Sequence, residues 1–134
     1  MKKYLVSVVV LLVVIASSVG YIAFRQFSAD RAVSTREITA ARADIDMLTK
    51  ELELYKMDTG EYPSSWPGLR ALIERPSIDP PAKWAGPYLE KLPLDPWGKP
   101  YIYAKPGKKS EVDVFSSGPD MIRGTADDVW PDDK

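Results

Sequence analysis

Three carboxylates, Asp120, Asp127 and Asp128, fall within nine residues in the stretch "SSGPDMIRGTADDVW", 116–130. Glycine, proline and small polar residues surround them, so neither a helix nor a long strand is expected there. From Ser116 to the last residue, five aspartates stand against Arg123 and Lys134, a net charge of −3. Like charges on one tight loop repel unless something neutralises them. A hard cation does so: Ca²⁺ takes about six to eight oxygens at about 2.3–2.6 Å, from carboxylates and carbonyls alike. The spacing is not that of an EF-hand, because D-x-[DN]-x-[DN]-G is absent and no Glu stands at the twelfth place. The loop must instead fold back on itself. Gly118 and Pro119 would aim Asp120, and Gly124-Thr125 would return Asp127 and Asp128. Ser117 and then Ile122 are the expected further oxygen donors. The competing reading is a solvated acidic tail, which is how charge runs ordinarily behave.

Other chemistry is excluded by what the chain lacks. It has no His and no Cys. That removes the commonest general base, the serine and cysteine triads, disulfides and thiolate metal sites. Any metal must therefore be bound by oxygen. With a formal net charge of −1 over 134 residues, no bulk attraction to nucleic acid is expected, and the length suits one modest domain. The four tryptophans, Trp66, Trp84, Trp97 and Trp130, alternate with prolines and are expected to pack beneath loops. Asp95, before Pro96, is expected to form a turn.

Three segments must position the loop. Residues 4–24, "YLVSVVVLLVVIASSVGYIAF", carry no charge. As a helix they would span roughly 31 Å, the thickness of a hydrocarbon core. Lys2 and Lys3 precede them, which favours a cytoplasmic N-terminus and a translocated remainder. A cleavable signal peptide is the alternative, but Tyr21 to Phe24 resume the apolar run after the small residues where cleavage would fall. Residues 25–58 contain no Gly and no Pro. Their apolar positions Ile38, Ala41, Ile45, Leu48, Leu52 and Tyr55 step by three and four, which predicts one face of an amphipathic helix. Joined to the span, it would make a rod of about 50 residues, near 80 Å long. Residues 59–134 should form a small domain. It would hold a short helix in "YPSSWPGLRALIERP", capped by Ser64 or Ser65 and ended by Pro76, and an ordered proline-rich loop over 76–100. Two strands should follow, Tyr101–Lys105 and Glu111–Ser116. The fold class is α+β: a long helix packed against a small antiparallel sheet.

The series "YKMDTGEYPSSWPGLRALIERP", "GPYLEKLPLDPWGKPYIY" and "VFSSGPD…GTADDV" stands in fixed order. It closely resembles the major pseudopilins of type II secretion systems, in the type IV pilin superfamily, from about Ala40 to Trp130. The resemblance implies a structural subunit and no catalysis. It implies a single pass through the bacterial inner membrane with the C-terminal domain in the periplasm. The partners would be further copies in a helical filament, other pseudopilins and inner-membrane secretion components. It also implies calcium on the loop, through the carboxylates at Asp120, Asp127 and Asp128. The N-terminus departs from the family's pattern of a leader ending in Gly and a Glu soon after the cut. Counting back from Tyr55 without gaps places that Glu at Val10, and 4–24 contain no acid. The expectation is either assembly without that processing, or a pseudopilin-like chain suited to another partner, or a leader lying before the recorded start. From a different class, a calcium-stabilised pilin-like binding module, anchored or released, would fit the same residues without a filament.

Overall fold

The computed structural model describes the backbone of residues 2–131 and, within the helix, the side chains of residues 19–23, 25 and from 34 onward. The stretch expected to span a membrane, 4–24, falls largely outside that side-chain description, as do Asp132 and Asp133 of the acidic tail. Among the described residues no helix is long and apolar enough to cross a membrane. Helix α1 runs Lys2–Thr59, a 3₁₀ helix follows at Gly68–Leu72, and two strands close the order, β1 at Ile102–Ala104 and β2 at Asp113–Phe115. The chain divides into two compact units, Met1–Arg36 and Glu37–Lys134.

The second unit is an α+β domain whose core is laid down by α1. Ala41, Ile45, Leu48 and Leu52 have no exposed surface and Tyr55 almost none. With Ile38 packed at its edge, this is the expected stripe, and the three-four spacing is what keeps it on one side of a 3.6-residue helix. Leu69, Ala71, Leu72, Tyr101, Val114 and Val129 fill the other side of the core. Because Leu52 is wholly buried, Leu52→Ala should lower stability by ~2–5 kcal/mol. Urea denaturation of the domain measures it, and a loss under ~1 kcal/mol would contradict the packing.

α1 stops where expected. Gly60 takes a left-handed φ of 95°, and its N–H donates to the Lys56 carbonyl at 2.8 Å, a glycine helix stop. The expected second α-helix is instead five residues of 3₁₀, with no side-chain cap. Ser64 Oγ donates to the Trp66 carbonyl, so it shapes the turn before the helix. Gly68, the first residue of the 3₁₀ helix, has a φ of 60°, a left-handed start that an α-helix would not have. The strands are also shorter than expected, three residues each, pairing Ile102↔Phe115, Tyr103↔Val114 and Ala104↔Asp113.

Polar groups fasten the proline-rich segment to the core. Trp84 Nε1 donates to the Ala71 carbonyl at 2.9 Å, and the N–H groups of Tyr88 and Leu89 donate to the Leu72 carbonyl. Tyr88 packs against Tyr55 with ring centres 5.7 Å apart, and its hydroxyl donates to Asp58 on α1. Tyr101 Oη donates to Asp44 Oδ2 at 2.8 Å, tying the hairpin to α1. Burial, and then the Asp44 carboxylate beside it, hold the Tyr101 hydroxyl protonated well above the ordinary tyrosine range. Trp66 departs from the expectation for the tryptophans: it is 68% exposed.

Candidate functional site

The acidic loop is closed at its base by backbone pairing. Ser116 and Val129 exchange two hydrogen bonds of 3.0 and 2.9 Å, so 117–128 form a closed excursion from β2. Ser116 is buried, and its Oγ donates to Asp95 Oδ2 at 2.5 Å while accepting from the Gly118 N–H. Asp95 is 4% exposed. Its other oxygen accepts from the Trp97 and Lys99 N–H groups at 3.1 and 2.7 Å. The turn expected at Asp95 is therefore there. Its grip on Ser116, 21 residues on, was not foreseeable from local sequence, since only the fold brings the two together.

Gly118 sets how the loop folds back. Its φ is 67°, and a Cβ built on it would lie 1.9 Å from the Asp127 carbonyl oxygen. Only a residue without a side chain lets the outgoing strand pass the returning one so closely. Beyond it, Asp120 Oδ1 accepts from the Ile122 N–H at 2.8 Å, and Met121 takes a positive φ of 59°. On the return, Asp128 Oδ2 accepts from the Gly124 N–H at 2.9 Å, and Thr125 Oγ1 donates to the Ile122 carbonyl. Glycine at 124, with φ 90°, makes that return turn.

All five expected donors, Asp120, Asp127, Asp128, Ser117 and Ile122, thus lie on one closed excursion. Ser117 is buried at its base, while Asp120, Ile122 and Asp127 are exposed. Among the described residues no group of three or more carboxylates stands close enough together to hold a metal ion. The loop shares the acids along its length rather than at one point. One observation does point to a cation: Asp128 Oδ1 is buried with no hydrogen-bond partner. A carboxylate oxygen removed from water and left without a donor is unfavourable by about 1–3 kcal/mol or more, and a cation is one remedy. A cavity of about 30 Å³ lies beside it, lined among others by Asp128, Gly124 and Trp130 and by the basic Lys108 and Arg123, with none of the other four expected donors in its wall. Oxygen is the ligand type a hard cation takes, but among the described residues the other acids are not gathered round that atom.

Aromatic packing supports the loop from below. Phe115 and Trp130 stack with centroids 4.2 Å apart and planes 12° from parallel. The Arg123 guanidinium lies over Phe115 at 5.5 Å and the Lys109 ammonium over Trp130 at 4.8 Å, each a cation–π contact. Asp113, read beforehand only as a strand residue, is buried. It accepts from the N–H groups of Lys108, Lys109 and Ser110. It therefore shapes the β1–β2 turn.

The family model for type II secretion system protein G matches residues 30–130. The type II secretion system core protein G of Klebsiella michiganensis is 43% identical over 89 residues, covering 65% of this chain and 63% of that protein. The protein of the same name from Pseudomonas aeruginosa is 43% identical over 93 residues, covering 68% and 66%. The chain thus spans just under two thirds of the length of these curated relatives. Among solved structures, the major pseudopilin from the type 2 secretion system of enterohaemorrhagic Escherichia coli aligns with a TM-score of 0.70 at 34% identity. That alignment covers 73% of this chain and 84% of the other.

Proposed function

Because the chain belongs to the protein G family of type II secretion systems, structural pseudopilins and not enzymes, we propose that it is a membrane-anchored subunit of a secretion pseudopilus. In this reading the apolar run 4–24 anchors it in the inner membrane and then bundles with the same run of neighbouring copies, while the domain from Glu37 on stands in the periplasm. Other pseudopilins and inner-membrane secretion components would be its further partners. The supporting observation is the helix itself. α1 continues without a break from Lys2 to Thr59, joining the apolar run to the stripe from Ile38 to Tyr55 that builds the domain's core. A chain whose apolar run continues into the helix of a separately folded domain has the parts that side-by-side stacking needs.

The same proposal gives the acidic loop a calcium ion, with Asp120, Asp127 and Asp128 as carboxylate ligands and Ser117 and Ile122 as further oxygen donors. Bound calcium would neutralise the loop's like charges and staple a segment too poor in apolar residues to fold alone. The orphaned Asp128 oxygen supports it, and so does the pairing that closes the loop at Ser116 and Val129. The role is structural.

Crosslinking in membranes tests the assembly. The chain has no native cysteine, so Cys introduced at Val9 or Ala32 reports only on contacts made there. The expected result is a ladder of oligomers on oxidation. Monomer alone would contradict the filament and leave a pilin-like, calcium-stabilised binding module.

A further inference from the structure

Among the exposed apolar side chains of the folded domain, two patches have complementary character. The first surrounds Trp66. The ring is 68% exposed, although its turn is firmly built: Ser64 Oγ donates to the Trp66 carbonyl at 2.7 Å, and Ser65 Oγ donates to the Lys105 carbonyl at 2.7 Å. A hollow of about 390 Å³ runs from Trp66 past Arg70 and Arg75 to Pro76. Arg70 pairs with Glu74 at 2.9 Å, so the patch keeps one net positive charge, carried by Arg75. An exposed tryptophan beside arginines, on a rigid turn, has the composition of an interface hot spot.

The second patch is on α1. Leu54 is 48% and Met57 79% exposed. Each lies two residues beyond a core residue, Leu52 or Tyr55, and so about 200° round the helix from it. Glu53 and Asp58, both exposed, flank the two apolar side chains. One patch is aromatic and basic, and the other is aliphatic and acidic. They are complementary, and both belong to the same chain.

We propose that the Trp66–Arg75 surface of one copy docks on the Leu54–Met57 face of α1 in the next. The indole covers Leu54 and Met57, a sulfur–aromatic contact included. The Arg75 guanidinium faces Glu53 and Asp58. The contact joins two different surfaces, so it is heterologous and leaves a free patch of each kind at either end. Repetition then extends a chain of subunits, whereas a self-complementary contact would stop at a dimer. The proposal rests on the filament reading above and adds which faces of the folded domain meet.

The test pairs single-cysteine copies in membranes. Copies carrying S77C, at the edge of the Trp66 hollow, and copies carrying K50C, one helical turn before Leu54, are co-expressed and oxidised; both sites are exposed and neither belongs to the proposed contact. A disulfide-linked dimer of one copy of each kind is expected, with no dimer from either kind alone. In the same pair, Trp66→Ala or Arg75→Glu should reduce the yield by about tenfold or more, and adding Glu53→Arg to Arg75→Glu should restore it. The Val9 or Ala32 ladder is run alongside. A ladder there with no 50–77 dimer overturns this contact and spares the filament. No product at either place overturns both. A dimer from S77C alone would show a self-complementary contact and overturn the proposal as stated.

Discussion

Gly118→Ala should open the acidic loop and destabilise the domain by ~2–4 kcal/mol. Two effects act together. The φ of 67° is one that L side chains rarely adopt, and the new Cβ would meet the Asp127 carbonyl oxygen at 1.9 Å. Neither can relax alone. Turning residue 118 to a negative φ redirects Pro119 and Asp120, and moving residue 127 breaks the Ser116–Val129 pairing at 3.0 and 2.9 Å. The return strand carries Val129 into the core, so the disturbance reaches beyond the loop. Thermal unfolding and limited tryptic digestion read the result. The variant should melt lower and be cut at the exposed Arg123. Gly98, also at positive φ but with open space around its Cβ, provides the comparison. Gly98→Ala should lose only the ~1–2 kcal/mol of a left-handed alanine. If Gly118→Ala melts with the parent, the loop does not fold back as described.

Calcium removal should have the second large effect. An ion that binds only the folded state at about 100 times its Kd stabilises by ~2.7 kcal/mol. For a domain of this size that corresponds to ~10–20 °C in Tm. EDTA should lower the Tm by that order and loosen the loop enough for trypsin to cut after Arg123, and excess calcium should reverse both. Magnesium should restore less, because it holds tightly to its own waters and suits a small octahedral site. Asp128→Asn tests the same claim from the protein's side. It should make the domain insensitive to EDTA, while the Gly124 N–H keeps an acceptor in the asparagine oxygen. An unchanged melt and digest in EDTA would leave Asp128 Oδ1 without its remedy and end the calcium reading.

Much of the frame was legible because it is periodic or punctuated. The three-four steps from Ile38 to Tyr55 mark a face that needs no knowledge of what covers it, and that face is buried in the structure. Thr59-Gly60 marked the helix end for a local reason, the left-handed glycine. Contacts between residues distant in the chain were not legible. Asp95 holds Ser116, and Tyr101 reaches Asp44 across 57 positions. Nothing in the local sequence of either partner announces those bonds. The short helix was misjudged because Ser64 and Ser65 resemble caps, yet the helix starts only at Gly68, at positive φ, and is 3₁₀. Trp66 was misjudged for the opposite reason: a large apolar ring argues for burial, and only the path of the turn shows it facing water. The acids of the loop could be read from composition and spacing, but how a cation would be shared among them could not, since that depends on carboxylate rotamers and carbonyl directions.

The most direct measurement uses Trp130, which borders the cavity beside Asp128. Terbium occupies oxygen sites of calcium's kind and emits when a nearby indole is excited. Titrating the calcium-free chain with Tb³⁺ should give saturable emission with one ion per chain, displaced by calcium and abolished by Asp120→Asn with Asp128→Asn. Emission that never saturates, or that survives loss of both carboxylates, would contradict a shared cation on this loop.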